Sequence, residues 1–202
     1  MLFATFFCAG LAAAAPALSA RQATNETSPW EITFANAGRP SGRPGSSPNS
    51  TLQVNIKDPN NIKTQRVPGG QSYFPSFEAS CVWSWPTSGT NFPAGVETLC
   101  SAVGDGHAST YGNFTMTLSG ESQADFSVAI KETREVTIFQ QRYVRVFEGQ
   151  QEFKLGGDFW RQICGGSGVC SWQVKDGGLP IKVEQELTES IGSCEEASIG
   201  GC

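Results

Sequence analysis

The amino-acid sequence predicts an all-β protein, a single antiparallel β-barrel or sandwich of about ten short strands stapled by disulfides. Three observations lead to this prediction. Apolar residues recur at alternate positions in short segments, which is the period of a half-buried strand. Links rich in Gly and Pro separate these segments at intervals of about 8 to 12 residues, as in β-barrels and sandwiches. Cysteines lie beside several of the segments, and no helical period follows the first twenty residues.

The alternating segments lie along most of the chain. The clearest are residues 114–118 and 126–130, with apolar side chains at positions i, i+2 and i+4. In a third segment, residues 80–85, alternation places Cys81, Trp83 and Trp85 on one face of a strand. The other predicted strands are residues 30–34, 52–56, 135–139, 142–147, 152–155, 171–174 and 181–183.

A loop of Pro, Gly and Ser residues interrupts the strand pattern at residues 38–50 and carries Arg39 and Arg43. A structureless segment of this length inside a compact domain is long enough to indicate a function.

A second distinctive segment lies at residues 158–172. Cys164 and Cys170 bracket five residues, three of which are glycine. Glycine adopts positive φ without a Cβ clash, so the chain can reverse sharply here. The segment predicts two strand ends joined by a turn and clamped by a local disulfide.

The chain divides into four predicted regions. Residues 1–20 form an uncharged apolar run with a small-residue exit, typical of a secretory signal peptide cleaved near Ala17 or Ala20. We expect residues 21–29 to be disordered, residues 30–187 to form the β-barrel domain and residues 188–202 to form a tail tied by Cys194 and Cys202. No run is long enough for a bilayer span, so the mature chain is predicted to be secreted and extracellular.

Six cysteines remain once Cys8, which lies in the leader, is subtracted from the seven in the sequence. An even number in a secreted chain implies disulfides, although six cysteines allow fifteen pairings. Pairing nearest neighbours would close three loops, namely Cys81–Cys100, Cys164–Cys170 and Cys194–Cys202. Zinc is the competing interpretation, but the spacing fits no zinc finger and only one histidine is present. The sequence therefore predicts no metal and no cofactor.

Three sequons suggest N-glycosylation, at Asn25, Asn49 and Asn113. The first two lie in polar, proline-flanked segments that we expect to be exposed, and the third begins a predicted strand.

The acidic balance of the chain, with a formal net charge of −5, argues against nucleic acid as a partner. Proteins that bind nucleic acid neutralise its phosphates with Lys and Arg. Membrane association is not expected either.

The sequence contains few combinations of residues that could form a catalytic site. His107 is the only histidine, and its Gly-Asp-Gly-His setting is typical of a turn, so multi-histidine metal sites are excluded. Paired carboxylates remain possible, because a glycosidase needs only two acids roughly 5–10 Å apart. The candidates near predicted strand ends are Glu78, Glu97, Glu148, Glu152 and Asp158.

Four tryptophans, Trp83, Trp85, Trp160 and Trp172, lie close in sequence to cysteines. The simpler interpretation is core packing against the disulfides. The alternative is a binding surface or cavity for an apolar ligand or a sugar ring, because a barrel can enclose one small ligand.

The order of several features carries a family resemblance. These are the opening Trp30-x-Ile-x-Phe34, Leu52-x-Val-x-Ile56 followed by Asp58-Pro59, the Cys81 and Cys100 pair, the Cys164-Gly-Gly-Ser-Gly-Val-Cys170 loop, and an alanine-rich leader ending near Arg21-Gln22. With these features in this order, the chain resembles the Alternaria major allergen-like family of small secreted fungal β-barrel proteins.

The resemblance implies a barrel with two internal disulfides, Cys81–Cys100 and Cys164–Cys170. It also implies a non-enzymatic, effector-like or allergen-like role outside the cell, through binding of a host extracellular protein or a small apolar ligand. No cysteine precedes Cys81 in the mature chain, so we expect a monomer or a non-covalent dimer. The alternatives are a small secreted glycoside hydrolase and a cell-wall-associated structural protein.

Overall fold

The computed structural model describes residues 27–88, 92–104 and 111–192, and these residues form two antiparallel sheets packed face to face. The described ranges contain no α-helix. Neither sheet closes on itself within them, so the fold is a β-sandwich and not a closed barrel. The sequence prediction of an all-β, disulfide-stapled barrel or sandwich is confirmed in the sandwich form.

The strands are numbered in chain order. The first sheet contains, in spatial order, β11 (Trp160–Cys164), β12 (Cys170–Val174), β1 (Trp30–Arg39), β2 (Asn49–Asp58), β5 (Phe77–Pro86) and β7 (Ser101–Ala102), with β13 (Ile181–Val183) also paired to β1. The second sheet contains β14 (Glu186–Ile191), β10 (Gln141–Lys154), β9 (Asp125–Ile138), β8 (Gly112–Gly120) and β6 (Glu97–Leu99). A separate hairpin is formed by β3 (Ile62–Val67) and β4 (Gly70–Phe74).

The core lies between the two sheets and is rich in aromatic side chains. Trp30 of the first sheet meets Phe114 of the second edge-to-face, with ring centroids 5.5 Å apart. Trp160 packs in the same manner against Phe126 at 5.8 Å and against Phe153 at 5.1 Å. Such pairs each stabilise by about 0.5–1.5 kcal/mol beyond the area they bury, so these contacts hold the sheets together.

The alternation of apolar residues predicted most inward faces correctly. Phe114, Met116 and Leu118 on β8 are fully buried, as the pattern indicates. Two exceptions are Phe34 and Leu155, each 41% exposed. Phe34 is exposed because a register shift between Ile32 and Phe34 turns the side chains that follow it to the opposite face. An extra residue in one strand has this effect, and a two-residue period cannot reveal it.

Strands β9 and β10 form a hairpin longer than the sequence predicts. Each is 14 residues long, whereas the alternation indicated two short strands in each place. Ile138 pairs with Gln141, so Phe139 and Gln140 make a two-residue turn with φ of 49° and 67°. That turn needs positive φ at both positions, which is normally supplied by Asn-Gly, and neither residue here has that preference.

The second sheet also extends beyond the predicted end of the domain. The boundary at residue 187 is too early, because β14 pairs with β10 as far as Ile191. All six β14 residues are exposed, so no apolar period marks this edge strand in the sequence. The predicted signal peptide at residues 1–20 and residues 193–202 lie outside the described residues.

Two of the three expected disulfides are present, Cys81–Cys100 and Cys164–Cys170. Cys100 lies between β6 of the second sheet and β7 of the first, so its bond to Cys81 ties the crossing between the sheets to β5. Cys194 and Cys202 lie outside the described residues. Within the part of the chain that the structure covers, no helix has the length and hydropathy needed to cross a membrane.

Candidate functional site

The loop between β1 and β2, residues 40–48, forms one end of the sandwich and is shaped by its own hydrogen bonds. The carbonyl of Arg43 accepts from the Ser46 amide at 3.0 Å and from the Ser46 hydroxyl at 2.6 Å. Pro44 and Gly45 occupy the centre of this turn, and Gly45 has a φ of 84°. Proline followed by glycine at positive φ is the signature of a type II turn. The sequence thus fixes the shape of this loop locally.

The disulfide hairpin lies beside the loop. Cys164 pairs with Cys170 in the β11–β12 ladder, and the Gly165 amide donates to the Val169 carbonyl at 2.8 Å. Gly168 has a φ of 84° and its amide donates to the Gly165 carbonyl at 3.0 Å, which completes a three-residue hairpin loop of the usual bulged kind. Arg39 of β1 pairs with Cys170, so the hairpin stands next to the start of the loop.

A concavity of about 670 Å³ lies between these two structures, and we refer to it as the tip cavity. It is lined by residues 39–48, Thr87, Ser88, Gly168 and Cys170. Its volume falls within the range of known small-molecule sites. The two segments that the sequence singled out, the Pro/Gly/Ser loop and the cysteine hairpin, therefore meet at one cavity. The contribution of Thr87 and Ser88 was not visible in the sequence, because it depends on the pairing of β2 with β5.

The charge of the tip cavity is opposite in sign to that of the whole chain. Arg39 and Arg43 both line it, and no Asp or Glu does. Both residues are exposed, and within the described residues neither guanidinium has a hydrogen bond or a salt bridge. The other arginines whose side chains the structure describes all have partners, namely Arg134, Arg142, Arg145 and Arg161.

The four tryptophans proposed as a binding surface are buried. Trp160 is fully buried and its indole N–H donates to the Gln123 carbonyl at 2.8 Å, while Trp83, Trp85 and Trp172 are between 4% and 8% exposed. None of the four lines either of the two cavities described here. These side chains pack the core and do not form the exposed surface that the alternative interpretation required.

The five candidate carboxylates do not converge. Glu97, Glu148, Glu152 and Asp158 are exposed, and Glu78 accepts a hydrogen bond from the Thr33 hydroxyl at 2.7 Å. None of the five lines either of the two cavities. None of the five therefore shares either cavity with a second acid, although Glu148 is the cross-strand partner of the exposed Glu186 on β14.

Another pair of carboxylates, Asp58 and Glu132, is fully buried between the sheets. Arg134 joins them, with Nη2 2.6 Å from Asp58 Oδ2 and Nε bonded to Glu132 Oε1. Its remaining terminal nitrogen donates to the Pro75 carbonyl, and the Trp30 indole donates to Glu132 Oε2 at 2.8 Å. We call Asp58, Glu132 and Arg134 the buried ion cluster. It connects β2 of the first sheet with β9 of the second.

Two carboxylates face one guanidinium in this cluster, so one negative charge would remain if both were ionised. Burial raises the pKa of Glu132 to about 8, and the charge of Asp58 acts in the same direction, while Arg134 opposes the shift. At neutral pH a protonated Glu132 leaves the cluster without net charge. The cluster is closed to solvent, since all three side chains are 0% exposed. It is a structural element, and its side chains are not available to a substrate.

A second cavity, of about 490 Å³, lies at the other open side of the sandwich. Apolar residues of β5, β6 and β7 line it together with Tyr111, Thr133 and Glu135. The only carboxylate among its lining residues, Glu135, accepts from Arg142 Nε at 2.7 Å. This cavity therefore has neither a free charged group nor a pair of acids.

The remaining predicted residues are distributed as follows. Asn49 begins β2 and Asn113 lies in β8, and both are exposed. Asn25 and His107 lie outside the described residues. Among the residues that the structure covers, no group of three or more His, Cys, Asp or Glu side chains could hold a metal ion.

Comparisons of the chain with protein-family models, with curated proteins and with solved structures found no match.

Proposed function

We propose that this chain is a secreted, non-enzymatic protein that acts by binding an extracellular partner through the tip cavity. The observation that carries the proposal is the meeting of the Pro/Gly/Ser loop and the disulfide hairpin at that cavity. Neither segment belongs to the packed core, and each is held in shape by local bonds. Rigid scaffolds commonly present binding residues on loops of this kind.

The predicted leader and the disulfides support the extracellular part of the proposal. Disulfides form and persist in oxidising compartments such as the secretory route. The lining of the tip cavity supports the non-enzymatic part, because it includes no Asp or Glu side chain.

The biological role that we propose is effector-like or allergen-like, as the resemblance to the Alternaria major allergen-like family implies. A host extracellular protein or a small ligand is the expected partner. The tip cavity favours a polar partner over an apolar one, because apart from Cys170 its lining is formed by Arg, Ser, Thr, Gly and Pro residues and includes no aromatic side chain. A monomer or a non-covalent dimer remains the expected state.

The experiment compares binding with turnover. The secreted protein and a variant with residues 40–48 replaced by a Gly/Ser linker of equal length are incubated with extracellular-matrix fractions and a polysaccharide panel. We expect retention of the wild-type protein, loss of retention in the variant, and no hydrolysis. Hydrolysis that disappears in Glu148→Gln or Asp158→Asn would contradict the proposal in favour of the glycosidase. Equal retention of both proteins would exclude the tip cavity as the binding site.

A further inference from the structure

The geometry points to an acidic sugar as the ligand of the tip cavity, with its carboxylate held by Arg39 and Arg43. This inference rests on the proposed function and specifies the chemistry of the partner at that site. The class of ligand is a mono- or oligosaccharide that carries a uronate carboxylate.

The tip cavity carries two positive charges. Arg39 and Arg43 are exposed, line one cavity, and have no acidic partner within the described residues. A guanidinium presents a planar set of donors that matches a carboxylate and can bind it through two parallel hydrogen bonds. In a chain with a net charge of −5, two such groups without partners create a local site for an anion.

The rest of the lining of the tip cavity suits a polyol. Five hydroxyl side chains surround the arginines, on Ser41, Ser46, Ser47, Thr87 and Ser88. Each hydroxyl can donate one hydrogen bond and accept two, so each keeps capacity for a sugar hydroxyl beyond its bonds within the protein. Sugar hydroxyls both donate and accept, so they can use the donor and the acceptor capacity of this array.

The prolines of the lining complete the match with a pyranose ring. Pro40, Pro44 and Pro48 recur at every fourth position of the loop and contribute apolar ring surface to the cavity. A sugar ring presents C–H groups on its faces and hydroxyls on its edges, so it can use both kinds of surface. A volume of about 670 Å³ accommodates one or two such rings.

Local structure preorganises the tip cavity. The type II turn at Pro44 and Gly45 and the disulfide at Cys164 and Cys170 fix the two walls before any ligand arrives. The walls are also close, because a Cβ added to Gly168 would lie 3.8 Å from Ser41 Cβ. A site that is formed in advance loses less entropy on binding, which compensates for the exposure of the arginines.

The test is a calorimetric titration of the full secreted chain with a galacturonic acid trimer, with the neutral galactose trimer and inorganic phosphate as comparison ligands. The variants are Arg39→Gln, Arg43→Gln and, as a matched control, Arg142→Gln in the other sheet. We expect saturable binding of the acidic trimer alone, a loss of about tenfold in affinity in each tip variant, and no change in the control. Affinity should also fall as salt is raised.

Several results would overturn the inference. These are equal binding of the neutral trimer, equally tight binding of inorganic phosphate, an equal loss in Arg142→Gln, and no binding at all. A failure here is distinguishable from a failure of the proposed function, which is tested separately by retention of the loop variant. Retention that depends on the loop, with no acidic-sugar binding, would leave a binding protein with another kind of ligand. A further control, Asn49→Gln, separates the effect of a glycan beside Pro48 from that of the arginines.

Discussion

Two sets of arginines in this molecule have opposite environments. Arg134 is fully buried, its donors are taken up by two carboxylates and a carbonyl, and its guanidinium lies 4.3 Å from the centre of the Phe77 ring. Arg39 and Arg43 are exposed at the tip cavity with no partner in the described residues. The first arrangement stabilises the fold and leaves no group free for a ligand. The second contributes little to the fold and leaves both charges available.

The two disulfides repeat this contrast. Cys81 and Cys100 are buried in the core, whereas Cys164 and Cys170 close an exposed hairpin beside the tip cavity. Under the proposed function, stability and binding therefore depend on separate parts of the chain. Changes in the interior should alter unfolding, and changes at the tip should alter binding with little effect on unfolding.

The largest effect is expected at Arg134. Replacing it with Met leaves Asp58 and Glu132 buried without their cation, which should lower the free energy of unfolding by about 3–5 kcal/mol. Urea unfolding followed by tryptophan fluorescence measures the loss. The matched control is Arg142→Met, which breaks an exposed ion pair with Glu135 and should cost less than about 1 kcal/mol.

If Arg134→Met does not fold, the triple change Asp58→Asn, Glu132→Gln, Arg134→Met replaces all three ionisable side chains with neutral ones. It should regain much of the stability, because no unpaired charge is left in the core. Similar costs for Arg134→Met and Arg142→Met would show that the buried ion cluster has no special role.

The next largest loss of stability is expected on removal of the disulfides, and the two disulfides should differ in its size. In the chain-entropy model, loss of Cys81–Cys100, with a separation of 19 residues, costs about 3 kcal/mol, and loss of Cys164–Cys170, with a separation of 6, costs about 2 kcal/mol. Double Cys→Ala variants, compared by urea unfolding, measure both. Only the second pair should also weaken binding at the tip. Binding that depends equally on both pairs would contradict the separation of the two regions.

The free energy of unfolding should depend on pH because of Glu132. Its pKa is raised from 4.5 to about 8 by burial, so the folded state holds a proton that the unfolded state releases between these values. The free energy of unfolding should therefore decrease as pH rises through this window, by up to about 1.4 kcal/mol per pH unit from this group. Unfolding curves from pH 5 to pH 8 measure the slope. Glu132→Gln, which stays neutral, should flatten it, and an unchanged slope would assign the dependence to other groups.

The smallest stability effect is expected at the turn of the β9–β10 hairpin. Gln140 has a φ of 67°, and glycine adopts this conformation without a Cβ clash. Gln140→Gly should raise the free energy of unfolding by about 1 kcal/mol. The control is Thr137→Gly at an exposed position of β9, where glycine should destabilise the strand. A loss of stability in both variants would show that the turn carries no strain.

The sequence predicted the fold class, the two described disulfides and most inward faces, because apolar alternation and cysteine spacing are local signals. It did not reveal that β9 runs without a break through Lys131, Glu132 and Arg134. Charged residues in a strand normally mark the solvent face, whereas Glu132 and Arg134 continue the buried face that begins at Phe126. These buried positions could be recognised only if the ion-pair partner of Arg134 were known. That partner, Asp58, lies 76 residues before Arg134 in the chain.

The candidate site was predicted in its parts but not as a whole. The composition of residues 38–50 indicated a functional loop, although the loop is shorter than predicted because β1 ends at Arg39 and β2 begins at Asn49. The glycines between Cys164 and Cys170 indicated a turn. That these two segments meet follows from the pairing of β12 with β1, which no local pattern contains. For the tryptophans near cysteines, the sequence suggested a binding surface where the structure has core. Tryptophan serves in either role, and its tertiary position decides which.

The most direct test of the separation between binding at the tip cavity and stability in the core is an NMR map of backbone amide chemical-shift changes. The galacturonic acid trimer is added to the wild-type protein and to the double variant Arg39→Gln/Arg43→Gln. We expect shifts confined to residues 39–48, 87–88 and 168–170 in the wild type. In the double variant the shifts should be absent, with a free energy of unfolding within about 0.5 kcal/mol of wild type. Shifts centred on Leu99 and Tyr111 at the second cavity, or a double variant that is strongly destabilised, would contradict the account.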